Sequence, residues 1–310
     1  QISMNLTNYK ISPLHIAFEE TRMSADERGV RVTGSELVGL IPLQPLLDAG
    51  RYFLEKQGLS TGVSEADLID CAIRSMGLNE LGIFDPKKKI IEYMLSDEKQ
   101  SRLVNMTVRG FADETASDSA APGGGSISAL AGALGAALGT MVANLSAAKR
   151  GWEDRVHEFS PWAEQGQLLK DKLIALVDED TRAFDAIMDA FGLPKDTPEQ
   201  VSARKQAIQD ASKYATQVPF RTMQTAFECI PLLKQMAEHG NPNSLSDVGV
   251  GALCIKTAVR GAWLNVLINA QGLSDKTWAE NIVAEARALL AKNHAACDEI
   301  ILKIEAQIGG

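Results

Sequence analysis

One carboxylate, Asp180, stands inside an otherwise apolar helical stripe made by Leu169, Leu173, Leu176, Val177, Phe184, Ile187, Met188 and Phe191. At roughly 100° per residue it projects within about 20° of Leu173, while Asp178 and Glu179 rotate toward the flank and solvent. A carboxylate on an apolar face must be paired, hydrogen-bonded, protonated or lining a cavity, because burying it bare is costly. Two readings fit: a general acid/base group whose pKa is shifted by its surroundings, or a structural carboxylate bonded to a neighbouring helix N-terminus or arginine.

A second group is Ala120-Ala121-Pro122-Gly123-Gly124-Gly125-Ser126, which runs into a helix from Ile127 to Ala148. Glycines let backbone amides crowd a ligand, and a helix N-terminus attracts anions or polarised oxygens. The run lacks the GK[ST] ending of a Walker phosphate loop. Inside the helix, Gly132, Gly135, Ala136, Gly139 and Ala143 form a small-residue face suited to close packing. Third is the Asx-rich turn Gly240 to Asp247, leading into another helix. Ser246 is its expected N-cap, and Asp247 suits the positive end of the dipole. Asn265 shares the Asp247 side and Asn269 lies further round, so these amides either bond neighbouring helices or face a polar cavity. Lys149 and Arg150 close the glycine-started helix, where the dipole alone explains them.

The elements that must hold these groups fall into two parts. The chain has 310 residues, 45% hydrophobic and 23% charged, with a formal charge of -9. That is enough for one large core or two ordinary ones, and it gives no basic footprint for nucleic acid. Cys71, Cys229, Cys254 and Cys297 form no CxxC pair, and the four histidines cluster with nothing, so neither a disulfide framework nor a metal site is expected and a cytoplasmic location fits. The segment Ile127–Ala148 has the length of a membrane span but is mostly Ala, Gly, Ser and Thr, so no transmembrane segment is expected. No signal peptide is read at Gln1.

Residues 1–95 read as an α+β fragment. Ile2, Met4 and Leu6 alternate with polar residues like a half-buried strand, and 30–40 is again β-rich. Helices are expected from Pro13 to about Arg28, from Leu43 to Lys56, and from Ser64 to Met76, where Ser64 and Asp67 form a capping box. A short strand after Phe84 and a linker at 96–100 complete this part. Residues 101–310 read as an all-α bundle of six to eight helices, with breaks at 119–125, 151–161, 192–198, Pro219, 240–246 and 272–274.

Taken together the segments resemble the formiminotransferase-cyclodeaminase family. QISMNLTNY, GSELVGLIPLQPLLDAG and FDPKKKIIEY are similar to the C-terminal subdomain of the formiminotransferase half. SAAPGGGSISA, LVDEDTRAFDAIMDA, GLPK, GNPNSLSD and LNVLIN resemble the cyclodeaminase half. The resemblance implies a partial α/β subdomain joined to a helical cyclodeaminase bundle. It further implies closure of 5-formiminotetrahydrofolate to 5,10-methenyltetrahydrofolate with release of ammonia, as in histidine breakdown. The family's catalytic aspartate falls on Asp180, and Asp118 is assigned no role.

On this resemblance Gly123, Gly124, Gly125, Ser126, Asp247 and Asn265 are expected to hold the pteridine, and Lys149 and Arg150 a polyglutamate tail. No metal and no cofactor beyond the folate itself is implied. A homo-oligomer built on dimers is expected, and formimino transfer is expected to be absent, since no histidine here matches that half's catalytic one. Two rivals stand beside this: a methenyltetrahydrofolate cyclohydrolase, and a non-catalytic helical scaffold.

Overall fold

The computed structural model describes residues 1–95 and 103–309; the expected linker at 96–100 lies outside them. The chain divides into two compact units, Gln1–Asp97 with Ala147–Pro161, and Glu98–Ser146 with Trp162–Gly310.

The first unit contains α1 (Leu14–Asp26), α2 (Leu43–Lys56), α3 (Glu65–Ser75) and the short α4 (Pro86–Lys89) and α5 (Ile91–Leu95). Its core gathers Leu46 and Phe53 of α2, Leu68 and Ile73 of α3, and Met76 and Ile90. Ser64 caps α3 as expected: its hydroxyl oxygen accepts from the Asp67 N–H at 3.2 Å. The hydroxyl in turn donates to the Asp67 carboxylate at 2.7 Å.

The expected α+β fragment is corrected: among the described residues no strand forms, and the unit is helical with extended connections. Only an isolated parallel bridge joins Ile41 to Ile90. Alternation specifies a strand only when a second strand takes up its backbone groups. Segments 1–6 and 30–40 find no such partner, and Ile2, Met4 and Val38 stay exposed. After Phe84 the Asp-Pro signal outweighs the β-rich residues that follow. Asp85 accepts from the Lys87 N–H at 3.0 Å, and Pro86 opens a helical turn.

The second unit holds α6 (Val108–Thr115), α7 (Gly124–Ala147), most of α8 (Val156–Gly192), α9 (Pro198–Phe227), α10 (Ile230–His239), α11 (Leu245–Gln271) and α12 (Lys276–Gly309). Among the described residues the unit has seven helices, against the expected six to eight. By length and composition, α7 and the stretch Pro242–Gln271 could each cross a membrane. In the unit they pack on each other instead, antiparallel, through small residues: a methyl at Gly135 would press on the Gly251 carbonyl, and one at Gly132 on Ala258. Ala129, Ala133, Ala136 and Ala143 are buried on that side, while the large Leu134, Met141 and Leu145 are exposed.

Several local expectations change. The glycine run is the first turn of α7 itself, not a loop before it. A 3-10 turn at Pro242–Ser244 leads straight into α11, so Ser246 sits inside the first turn and is not the cap. α9 runs unbroken through Pro219, α8 takes in Pro161 from the break expected at 151–161, and an unexpected break at Glu228–Cys229 parts α9 from α10.

Candidate functional site

The three successive carboxylates of α8 have three different fates. Asp178, expected at the solvent flank, is buried and accepts the Leu103 N–H at 2.7 Å and the Val104 N–H at 3.4 Å. Its burial is explained by those two backbone donors, which sequence periodicity on one helix does not reveal. Glu179 accepts from the Tyr214 hydroxyl at 2.6 Å and Arg221 at 2.5 Å, both on α9. Burial pushes the Glu179 carboxyl up, but these two donors outweigh it and hold it below the usual range.

Unlike Glu179, Asp180 meets no cation among the described residues. It lies half-buried against the first turn of α7, where the Ser126 hydroxyl approaches its Oδ2 at 3.2 Å. Burial pushes its carboxyl above the ordinary aspartate range, and hydrogen bonds from the Ser126 hydroxyl and backbone N–H only partly offset the rise. Ser126 is fully buried, and its one hydroxyl hydrogen has a second acceptor, the Val177 carbonyl at 2.9 Å. A protonated Asp180 can therefore donate to Ser126 Oγ while the hydroxyl stays on Val177, so the pair accommodates both protonation states.

A cavity of about 130 Å³ opens beside this carboxylate. Gly123, Gly124 and Gly125 form one wall, Asn265 and Asn269 of α11 another, and Phe184 and Ile187 an apolar side. Gly125 is required by the close approach of Asp180: a methyl there would overlap the carboxylate. Gly124 faces the Asn265 amide. The first-turn N–H groups of α7 supply donors on one side, and the carboxylate and amides face them. A larger concavity, about 1230 Å³, lies in the first unit between the extended segments. It has no comparable convergence of a displaced carboxyl with helix-end amides, so the smaller cavity is the better site.

Five of the expected residues thus meet in one place: Gly123, Gly124, Gly125, Asp180 and Asn265, with Ser126 directly behind. Asp247 does not join them. It sits 18 residues from Asn265 on a continuous helix, about 27 Å away. Lys149 and Arg150 belong to the other unit, where the Lys149 ammonium lies 3.8 Å from the Trp152 ring centre and Arg150 is exposed. Phe184 and Ile187, members of the apolar stripe with no site role expected, stand four and seven residues from Asp180 and share its face. Ala215 carried no sequence signal of its own.

Known proteins with similar sequences bear on this geometry. The family model for formiminotransferase-cyclodeaminase matches residues 107–288, and the model for the formiminotransferase domain matches residues 1–96. The formimidoyltransferase-cyclodeaminase of Mus musculus is 38% identical over 299 residues, covering 96% of this chain and 55% of that protein. The chain thus spans about half the length of the bifunctional relatives it matches. The methenyltetrahydrofolate cyclohydrolase of Methylorubrum extorquens is 39% identical over 204 residues, covering 66% of this chain and 98% of that protein. A crystal structure of formiminotetrahydrofolate cyclodeaminase from Thermotoga maritima aligns with a TM-score of 0.55 at 28% identity, over 66% of this chain and 97% of the other.

Proposed function

The chain belongs to the formiminotransferase-cyclodeaminase family, and from that premise we propose that its helical unit closes 5-formiminotetrahydrofolate to 5,10-methenyltetrahydrofolate and releases ammonia. N10 of the folate attacks the amidine carbon carried on N5, and the tetrahedral adduct then expels its exocyclic nitrogen. One proton must leave N10 and one must reach the departing amine. Asp180 serves both transfers in turn, because burial strengthens its hold on a proton, which it can take from N10 and pass to the departing nitrogen. The cavity walls hold the reacting atoms together, which supplies a further part of the acceleration.

The observation that carries this reading is the half-buried Asp180 carboxyl, only partly offset by Ser126, at the glycine-lined start of α7. Replacing Asp180 by Asn keeps the shape and removes the proton carrier. Ammonia release by D180N is expected to fall at least a hundredfold with folate binding largely retained. Near-normal turnover by that variant overturns the assignment.

A second reading has its own support, since the cyclohydrolase relative matches the helical region over nearly its whole length. Water would then attack the methenyl carbon beside the same carboxyl. Measuring ammonia release from formiminotetrahydrofolate against hydrolysis of methenyltetrahydrofolate separates the two. A scaffold role is favoured only if neither reaction nor folate binding is detected. Self-association through the exposed apolar stripes of α7 and α11 belongs to the same proposal, as do binding of polyglutamate tails by Lys149 and Arg150 and a cytoplasmic location.

A further inference from the structure

Asn269 lines the cavity and is tied to a proline-interrupted turn of the facing helix. α9 passes through Pro219, which has no N–H to give the carbonyl four residues earlier, that of Ala215. The vacancy is filled from α11: Asn269 Nδ2 donates to Ala215 O at 2.7 Å. A carbonyl only accepts, so chemistry fixes which end of the amide faces Ala215 and leaves Oδ1 on the other branch. Asn265 is oriented the same way, its Nδ2 donating to Gly261 O at 3.0 Å. Both asparagines and Ala215 line the cavity with Asp180. At Asn265 the Nδ2 group lies nearest the Gly124 wall, whereas Asn269, whose Nδ2 is engaged by Ala215, has its Oδ1 left over, and it lines the space with the Asp180 carboxyl.

At about 130 Å³ the cavity suits a reacting group and not a whole bicyclic ring system. We propose that the Asn269 carbonyl oxygen, positioned by Pro219, accepts a hydrogen bond from the formimino N–H whose nitrogen departs as ammonia. This rests on the cyclodeaminase reading above and adds to it the group that recognises the leaving nitrogen. Protonation of the amidine strengthens the contact, and the methenyl product, with no N–H on its bridging carbon, cannot make it. The site thereby favours the substrate over its own product.

Three variants of the full chain test this: Asn269→Ala, Pro219→Ala and the double. Losing one hydrogen bond to a charged group should lower kcat/KM for 5-formiminotetrahydrofolate about tenfold to a hundredfold in N269A. The inhibition constant of 5,10-methenyltetrahydrofolate should stay within threefold. P219A restores a backbone N–H that competes for Ala215, so it should show a smaller loss of the same kind, and the double variant should be no worse than N269A. In nuclear magnetic resonance spectra, hydrogen exchange of the Asn269 side-chain amide should speed up in P219A. Additive losses, equal losses toward substrate and product, or unchanged amide exchange overturn the positioning role. Failure of the underlying reaction is separately visible, as absent ammonia release by the unaltered protein or as full activity in D180N.

Discussion

The Asp180 carboxylate occupies the space where a side chain at position 125 would begin, so the aspartate and Gly125 fit only as a pair. Gly125→Ala forces one of them to move. Because the obstructing atoms are a carboxylate held by Ser126, the shift displaces the reacting group itself. G125A is expected to lose at least a hundredfold in turnover with a far smaller change in melting temperature, since a misplacement of about 1 Å at the chemistry costs on the order of a hundredfold. Activity within threefold of the unaltered protein would show that the carboxylate has slack.

Adjacent carboxylates here respond to pH in opposite directions. Burial raises the Asp180 pKa, so the folded state binds its proton more tightly than the unfolded chain does. That group is neutral in its effect on stability at low pH, and its cost appears as pH rises through the unfolded value toward the folded one. D180N removes the cost. The variant is therefore expected to melt higher than the unaltered protein at pH 7, with the gap closing below about pH 4. A lower melting temperature at pH 7 would contradict the direction of the shift.

Glu179 behaves in the reverse sense. Hydrogen bonds from Tyr214 and Arg221 overcome burial and lower its pKa. Its contribution is present above the unfolded carboxylate range and is lost as pH falls through the lowered folded value. Glu179→Ala leaves the Tyr214 hydroxyl and the Arg221 guanidinium without their shared acceptor, a cost of about 1–3 kcal/mol at neutral pH. Thermal unfolding across pH 2–7 should show that the penalty shrinks in acid. A penalty independent of pH would mean the loss is one of packing.

The contrast among residues 178, 179 and 180 also marks how far the sequence reaches. Periodicity on one helix placed Asp180 on the apolar side and matched it to the glycine run by family pattern alone. It could not show that Asp178 is buried too, because the donors that make this tolerable come from Leu103 and Val104, 75 and 74 residues away in the chain. The helices of the second unit were legible since their breaks are written in Gly, Pro and Asn. The exceptions are Pro161, which lies inside α8, the break at Glu228–Cys229, which was not expected, and Pro219, whose missing N–H is compensated by Asn269 from another helix. In residues 1–40 the alternation of Ile2, Met4 and Leu6 is a pattern for pairing, and pairing is a property of two segments.

Asp178 offers a stability control that leaves the chemistry alone. Asp178→Ala strands the buried Leu103 N–H, at a cost of about 1–3 kcal/mol, and a substantial drop in melting temperature is expected. Below the melting range, kcat of the folded fraction should stay within a few fold. A proportionate collapse of kcat in fully folded protein would draw Asp178 into the site.

The last prediction concerns the outward faces of α7 and α11. Leu134, Met141 and Leu145 on one helix and Val250, Leu253, Leu264 and Ile268 on the other are exposed, while their alanines and glycines face inward. α7 carries no charged residue from Gly124 to Ala147. A two-fold contact brings the same patch of both copies together, so a charge-free face avoids the like-charge repulsion that would oppose pairing. The seven side chains are between 38% (Met141) and 65% (Ile268) exposed, apolar surface of the kind an interface covers. A dimer or a multiple of it is therefore expected in sedimentation equilibrium. Leu134→Glu and Leu264→Glu should each shift the mass toward the single chain with little change in helix content. A monomeric unaltered protein, or an unchanged mass in both variants, would show that these stripes are not the contact.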